Sequence, residues 1–260
     1  MGSKVNRIGE ENINNFGSKI IITRYGSATD IDVYFSEYNW TFKHSAYKEF
    51  KNGKIKCPYE KRVYGRGYIG EGKYKARENR KTNKCYEVWN KMLQRCYDPK
   101  YQEKEPTYKY CEVCNEWLNF QNFAKWYYDN YYEIKNQKMH LDKDILVKGN
   151  KLYSPENCIF VPNNINMLFV KCDRSRGRYP IGVCCHKQHE KFQAYCRIYD
   201  FKENKSKLIY LGLYDTPEKA FEVYKQFKEQ NIKQVADYYK DLIPEKLYQV
   251  LYEYQVEITD

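Results

Sequence analysis

Long apolar runs are missing from this chain. Nothing in it approaches the ~20 residues of a membrane-spanning helix, and the first residues hold no apolar signal core. A cytoplasmic location with no membrane partner is therefore the expectation. In that setting the 10 cysteines read as reduced thiols or metal ligands rather than disulfides. Methionine is scarce at 4 residues while tyrosine supplies 29, so much of the apolar surface is amphipathic. The glycine-rich run at 65–72 has no lysine–serine pair and no helix start behind it. That excludes a phosphate-cradling loop and leaves a flexible turn. Acid is in deficit as well. Lysine and arginine number 45 against 34 aspartates and glutamates, a net charge of +11, and with this much tyrosine the balance points to a polyanion partner.

What is present begins with β-rich runs. Residues 19–23 and 31–35 flank a Gly-Ser-Ala-Thr-Asp stretch and read as a hairpin. The Tyr47–Pro58 run (Y-x-x-F-x-x-G-x-I-x-x-P) follows, within a small N-terminal β module over 1–72. Residues 73–84 carry six lysines and arginines against one glutamate and read as a basic linker, on nucleic acid or in solvent. From Tyr86 to Leu93 the apolar spacing is helical, and Phe120, Phe123 and Trp126 form a second such face, read as core rather than base-stacking platforms. Cys111 and Cys114 have the C-x-x-C spacing of half a structural zinc site, but no second C-x-x-C completes it. Cys96 and Cys158 would make up a four-thiolate Zn²⁺ set; the alternative is that Cys96, Cys114 and Cys158 are no more than small buried side chains.

Chemistry concentrates at 140–166. Asp142 and Asp144 sit one residue apart on an alternating run with Leu141, Ile145 and Val147. A Gly149-Asn150 turn leads to the apolar run Cys158–Val161, and Pro162 with the asparagines after it reads as a stop and a helix start. Strand, turn, strand, helix is a ββα unit, a form able to hold one divalent metal against a scissile phosphate.

This segment resembles the core of HNH-type endonucleases of phages and mobile introns. Three family runs occur in order: Trp89-Asn90-Lys91-Met92-Leu93-Gln94-Arg95-Cys96-Tyr97, Val113-Cys114-Asn115-Glu116-Trp117 and Leu141-Asp142-Lys143-Asp144. Tyr153-Ser154-Pro155-Glu156-Asn157-Cys158 follows as the run of the second strand, and the likeness covers 85–170. It implies a DNA endonuclease using Mg²⁺ or another divalent cation. Asp142, Asp144, Asn157, Asn164 and Asn166 are then the candidate metal ligands, and His140 and Lys143 the candidate catalytic residues. The chain departs from the family where a histidine usually follows the first-strand aspartate, because Lys143 stands there. Alternation places His140 with Asp142 and Asp144, as a substitute base or another ligand. The other reading keeps the ββα form as a DNA-docking scaffold without cleavage.

The last third has three further β-like runs, then Thr216-Pro217 as N-cap and first helical position of a helix with Ala220, Val223, Tyr224 and Phe227 at core spacing. Its landmarks are Ile181-Gly182-Val183, Phe192-Gln193-Ala194, Leu211-Gly212-Leu213-Tyr214 and Thr216-Pro217-Glu218-Lys219-Ala220. They resemble the Apetala-two DNA-binding domain, whose sheet lies in the major groove of double-stranded DNA. The resemblance and the local charge make Arg178, His186, Lys187, Lys191, Arg197, Lys207 and Tyr210 the DNA-contact candidates, with Arg174 and Arg176 in the basic run ahead of them. Over 171–210, ten lysines and arginines face four acids. The expected fold is α+β: an N-terminal β module (1–72), a basic linker (73–84), a central ββα domain (85–170), a three-stranded sheet with one helix (171–231), and C-terminal helices (232–260). Those last helices either cap the domain or pair with a second copy of the chain.

Overall fold

The computed structural model describes residues 6–170, 178–186, 190–200 and 205–259. Two units divide the chain: Met1–Asp129 with Lys151–Ser154, and Asn130–Asn150 with Pro155–Asp260. The architecture is α+β, with a four-stranded sheet near the N-terminus and a three-stranded sheet followed by helices near the C-terminus.

In the first unit, β1 (Glu11–Ile13), β2 (Lys19–Ser27), β3 (Asp30–Phe35) and β4 (Trp40–Ser45) form an antiparallel sheet in that order. Period-two alternation puts Ile20, Ile22, Ile31, Val33 and Phe35 on one fully buried face. The hairpin at 19–35 forms as expected, with strands longer than the apolar runs alone suggest. Tyr47–Ile55 is not a strand: α1 (Tyr47–Lys51) lays Phe50 on the buried face, and Ile55 and Cys57 complete that core. The expected linker is structured too, because β5 (Arg77–Glu78) and β6 (Lys81–Thr82) make a short ribbon.

Beyond it, Asn83 caps α2 (Lys84–Tyr97) by accepting the Cys85 N–H at 2.9 Å. Trp89, Met92, Leu93 and Cys96 form the buried stripe of α2. The Trp89 ring lies 5.4 Å from Phe120, and its indole N–H donates to Trp117 O. After α3 (Pro99–Lys104) and β7 (Glu112–Val113), α4 (Phe120–Asn130) adds Phe123 to Trp117, 5.1 Å between centroids. Phe120 and Phe123 are core, as expected. Tyr153 is not in the second strand of a ββα unit. It belongs to β9 (Leu152–Tyr153), which pairs in parallel with β7.

In the second unit, β8 (Met139–Asp142) pairs antiparallel with β10 (Ile159–Pro162), and α5 (Asn163–Asn166) follows. β11 (Val183–His186), β12 (Lys191–Asp200) and β13 (Lys205–Tyr214) then form a meander. Thr216 Oγ1 accepts the Lys219 N–H at 3.3 Å to open α6 (Pro217–Tyr239), with Pro217 in the first turn; α7 (Glu245–Tyr252) comes last. Gly182 has φ +78°, and a Cβ there would stand 2.1 Å from the Tyr224 ring, so only glycine lets α6 approach β11 this closely.

One helix serves two cores. The N-terminal half of α6 (Ala220, Phe221, Tyr224) packs with Ala194 and Cys196 of the sheet. Its C-terminal half (Ile232, Val235, Ala236, Tyr239) packs with Ile159, Val161, Ile165 and Leu168 and with Leu247 and Leu251 of α7. Residues 232–252 are therefore the floor of the strand–strand–helix unit, and α6 runs unbroken through 231.

Candidate functional site

β8 sets the geometry of the strand–strand–helix unit. Its alternation buries Leu141 on one side and puts His140 and Asp142 on the other, opposite Val161 and Ile159 of β10. Pro162 ends β10, and the Asn163 N–H donates to Lys138 O at 2.8 Å, which swings α5 over the His140 face. There His140 Nε2 meets Asn163 Oδ1 at 3.1 Å. Sequence reasoning missed Asn163. Its signal was the first asparagine after Pro162, where an N1 side chain points back toward the strands.

β8 stops at Asp142 rather than running on through Val147. Asp142 Oδ1 accepts the N–H groups of Asp144 (2.8 Å) and Ile145 (2.7 Å), turning the chain into a loop over 143–150. Burial, then the Asp144 charge, pushes the Asp142 carboxyl above the ordinary aspartate range, against those two bonds and Lys143. Lys143 is buried, and its Nζ donates to Asp144 Oδ1 at 2.6 Å and Asn150 O at 2.9 Å. Asn150 Nδ2 returns a bond to Lys143 O at 2.7 Å. Lys143 thus clasps the loop shut. Asn157 bonds Asn150 Oδ1 at 3.4 Å, and Asn164 donates to the Tyr239 hydroxyl at 3.3 Å, turning toward α6. Asn166 is half-buried on α5. The geometry brings His140 to Asn163, and ties Asn157 to the loop and Asn164 to α6.

The three-stranded sheet has an open face. Register puts Gln193, Tyr195, Arg197 and Tyr199 of β12 on it, beside Leu208 and Tyr210 of β13. Tyr210 and Leu208 are more than half exposed, and the Tyr195 and Tyr210 rings lie 5.3 Å apart. His186 stands opposite Lys191, which reaches Asp215 at 3.2 Å. Lys207 does not share this face with Tyr210. It pairs across from Ile198, on the α6 side, and its Nζ binds Asp200 at 2.7 Å, since residues three apart on a strand point opposite ways. Arg178 is exposed ahead of β11, donating to the Tyr179 hydroxyl at 2.9 Å. Arg174, Arg176 and Lys187 lie outside the described residues. A cleft of about 620 Å³ within this unit is lined by Asn163, Met167, Tyr195, Arg197, Tyr199 and Lys228 among others, so it joins α5 to the open face. Burial pushes the Lys228 ammonium there below the ordinary lysine range.

Two other groups bear on metal binding. Cys96, Cys111 and Cys114 belong to the first unit and Cys158 to the second; all but Cys114 are buried. Asp30, Asp32 and His44 bring their ligand atoms within 4.8 Å of one another, a set able to coordinate a metal ion. The Arg24 guanidinium occupies both carboxylates, at 2.6 Å to Asp30 Oδ1 and 2.8 Å to Asp32 Oδ2. That clasp holds both carboxyls well below their usual range and already matches one of the two negative charges a metal would neutralise.

Among the described residues, no helix is long and apolar enough to cross a membrane. Compared with known proteins, the chain matches no family model, no curated protein and no solved structure.

Proposed function

We propose that this protein binds double-stranded DNA through the open face of its three-stranded sheet and hydrolyses a phosphodiester at the β8–β10–α5 unit, in the manner of HNH-type endonucleases. The observation that carries the reading is the convergence of Asp142, His140 and Asn163 on one face of β8, with the cleft leading from Asn163 to Arg197. In the tautomer where Nε2–H donates to Asn163 Oδ1, the lone pair of the imidazole falls on Nδ1, the form a general base needs. His140 takes a proton from water as the water oxygen attacks phosphorus, and the P–O bond to the leaving sugar breaks with its electron pair staying on the sugar oxygen, which takes up a proton from solvent. The Asp142 carboxylate is an oxygen donor of the kind Mg²⁺ or a similar hard cation takes, and Asp142 is the residue that would hold it. Such an ion supplies Lewis-acid stabilisation of charge on the phosphate. Arg197 and Tyr210 engage the duplex, where each cation on a phosphate adds salt-dependent affinity.

A second reading, a DNA binder without cleavage, is favoured by one observation: Asp142 Oδ1 is engaged in turning the 143–150 loop. Incubation with supercoiled plasmid separates the two. Nicked or linear product with Mg²⁺ or Mn²⁺, lost in Asp142→Ala while DNA binding persists, supports hydrolysis. Plasmid left intact with Mg²⁺, Mn²⁺ and Zn²⁺ alike leaves the binding function alone.

A further inference from the structure

The β5–β6 ribbon projects a set of cations at a conformational cost. Its two-residue turn is Asn79-Arg80, and both residues take positive φ, +48° and +65°. Such turns favour asparagine followed by glycine, because a Cβ is disfavoured there. An arginine at the second position is a residue the turn does not ask for. Arg77, Arg80 and Lys81 are all exposed, and none makes an ion pair among the described residues. Lys73 and Lys75 are exposed just before the ribbon.

The tip is bare but the base is clamped. Tyr74 gives its N–H to Gln121 Oε1 and takes Gln121 Nε2–H on its carbonyl, each at 3.0 Å. Gln121, on α4, is buried, and a Cβ on Gly72 would come within 2.3 Å of its Oε1. The Tyr74 ring stacks on Tyr128 at 5.3 Å. On the other strand, the Asn83 N–H closes onto Ala76 O at 3.0 Å, and Asn83 Nδ2 donates to the Tyr128 hydroxyl at 3.1 Å. A solvated linker needs none of this. Two residue pairs cannot hold a hairpin in water unaided, so the anchorage at its base is what keeps the ribbon formed.

We propose that the ribbon is a second nucleic-acid contact, a rigid basic finger whose Arg77, Arg80 and Lys81 engage the phosphates of duplex DNA. The inference rests on the reading that the partner is DNA, but not on cleavage or on the sheet as the reading surface. Charge alone would be satisfied by a relaxed turn, whereas a strained arginine held on a mounted ribbon fits a partner with closely spaced negative charge.

The test measures duplex affinity of the full-length chain against salt concentration for wild type, Arg80→Gly, the triple Arg77→Ala/Arg80→Ala/Lys81→Ala variant and Arg197→Ala. Each phosphate contact adds about 0.9 to the log–log slope, so the triple variant should lose roughly two to three units of slope and Arg80→Gly about one. Because Arg80→Gly relieves the backbone, its melting temperature should hold or rise while its affinity falls several-fold, an outcome that simple misfolding cannot mimic. Unchanged slope and affinity in both ribbon variants would overturn the finger while leaving the DNA reading intact if Arg197→Ala weakens binding. Loss in the ribbon variants with none in Arg197→Ala would keep the finger and move the groove-facing surface off the sheet. A wild-type chain that binds no duplex at any salt would sink both.

Discussion

At the scale of residues, Lys143 and His140 both stand beside Asp142 but in different surroundings. Lys143 is buried with acceptors around its Nζ, so removing it loses the Asp144 ion pair and the bond to the Asn150 carbonyl and leaves a cavity. Lys143→Ala should lower stability by about 2–3 kcal/mol, the range for losing hydrogen bonds from a charged group, read by urea denaturation. His140→Ala should leave the denaturation midpoint close to wild type and slow plasmid nicking about 10²–10⁴-fold, the range of general-base catalysis. The reverse pattern would give the lysine the chemical role. A different pair governs acid stability. Arg24 holds Asp32 down to about 2, below the roughly 3.9 of an unfolded aspartate. The unfolded chain therefore binds the proton more readily, and stability is lost as pH falls from about 4 toward 2. Asp32→Asn should flatten that fall in thermal melts across the same window, and an unaltered profile would show that the clasp contributes nothing.

At the scale of elements, local pattern was enough for some and misleading for others. The alternation of Ile20, Ile22, Ile31, Val33 and Phe35 made β2 and β3 legible, because one face is wholly buried and period two shows plainly. β4 escaped because Trp40 and Phe42 are only partly covered and His44 takes φ +58°, which breaks the strand pattern. Leu141, Ile145 and Val147 imitate a strand, yet Val147 is half exposed and the chain turns at Asp142 through side-chain bonds that periodicity cannot see. β7 and β9 are two residues each and meet in parallel across a long separation, with no local signal for the pairing. His140 and Asp142 were legible as a pair on one face; Asn163 became visible only once α5 folded back. The floor under them is α6 and α7. Leu247 is fully buried in that core. Leu247→Ala should cost about 2–5 kcal/mol and speed hydrogen exchange at the amides of β8 and β10. Exchange confined to α7 would mean that the floor does not hold the strands.

At the scale of the molecule, the net charge of +11 is spread over parts that composition could not separate. Lys207 is spent on Asp200 and Lys191 is close to Asp215, whereas Arg77, Arg80 and Lys81 on the ribbon make no ion pair among the described residues. Counting charges gives the partner's sign, but only the register and the ion pairs say which cations are available to it. The shared helix α6 carries a further consequence. Its 23 residues make a rod of roughly 35 Å, with the sheet seated on one half and the β8–β10–α5 unit on the other. A protein built this way carries its own ruler. On the proposed reading, a sheet seated over a chosen sequence would set the scissile bond by distance along the duplex rather than by its bases, and the cut would fall at one constant remove from the words that were read.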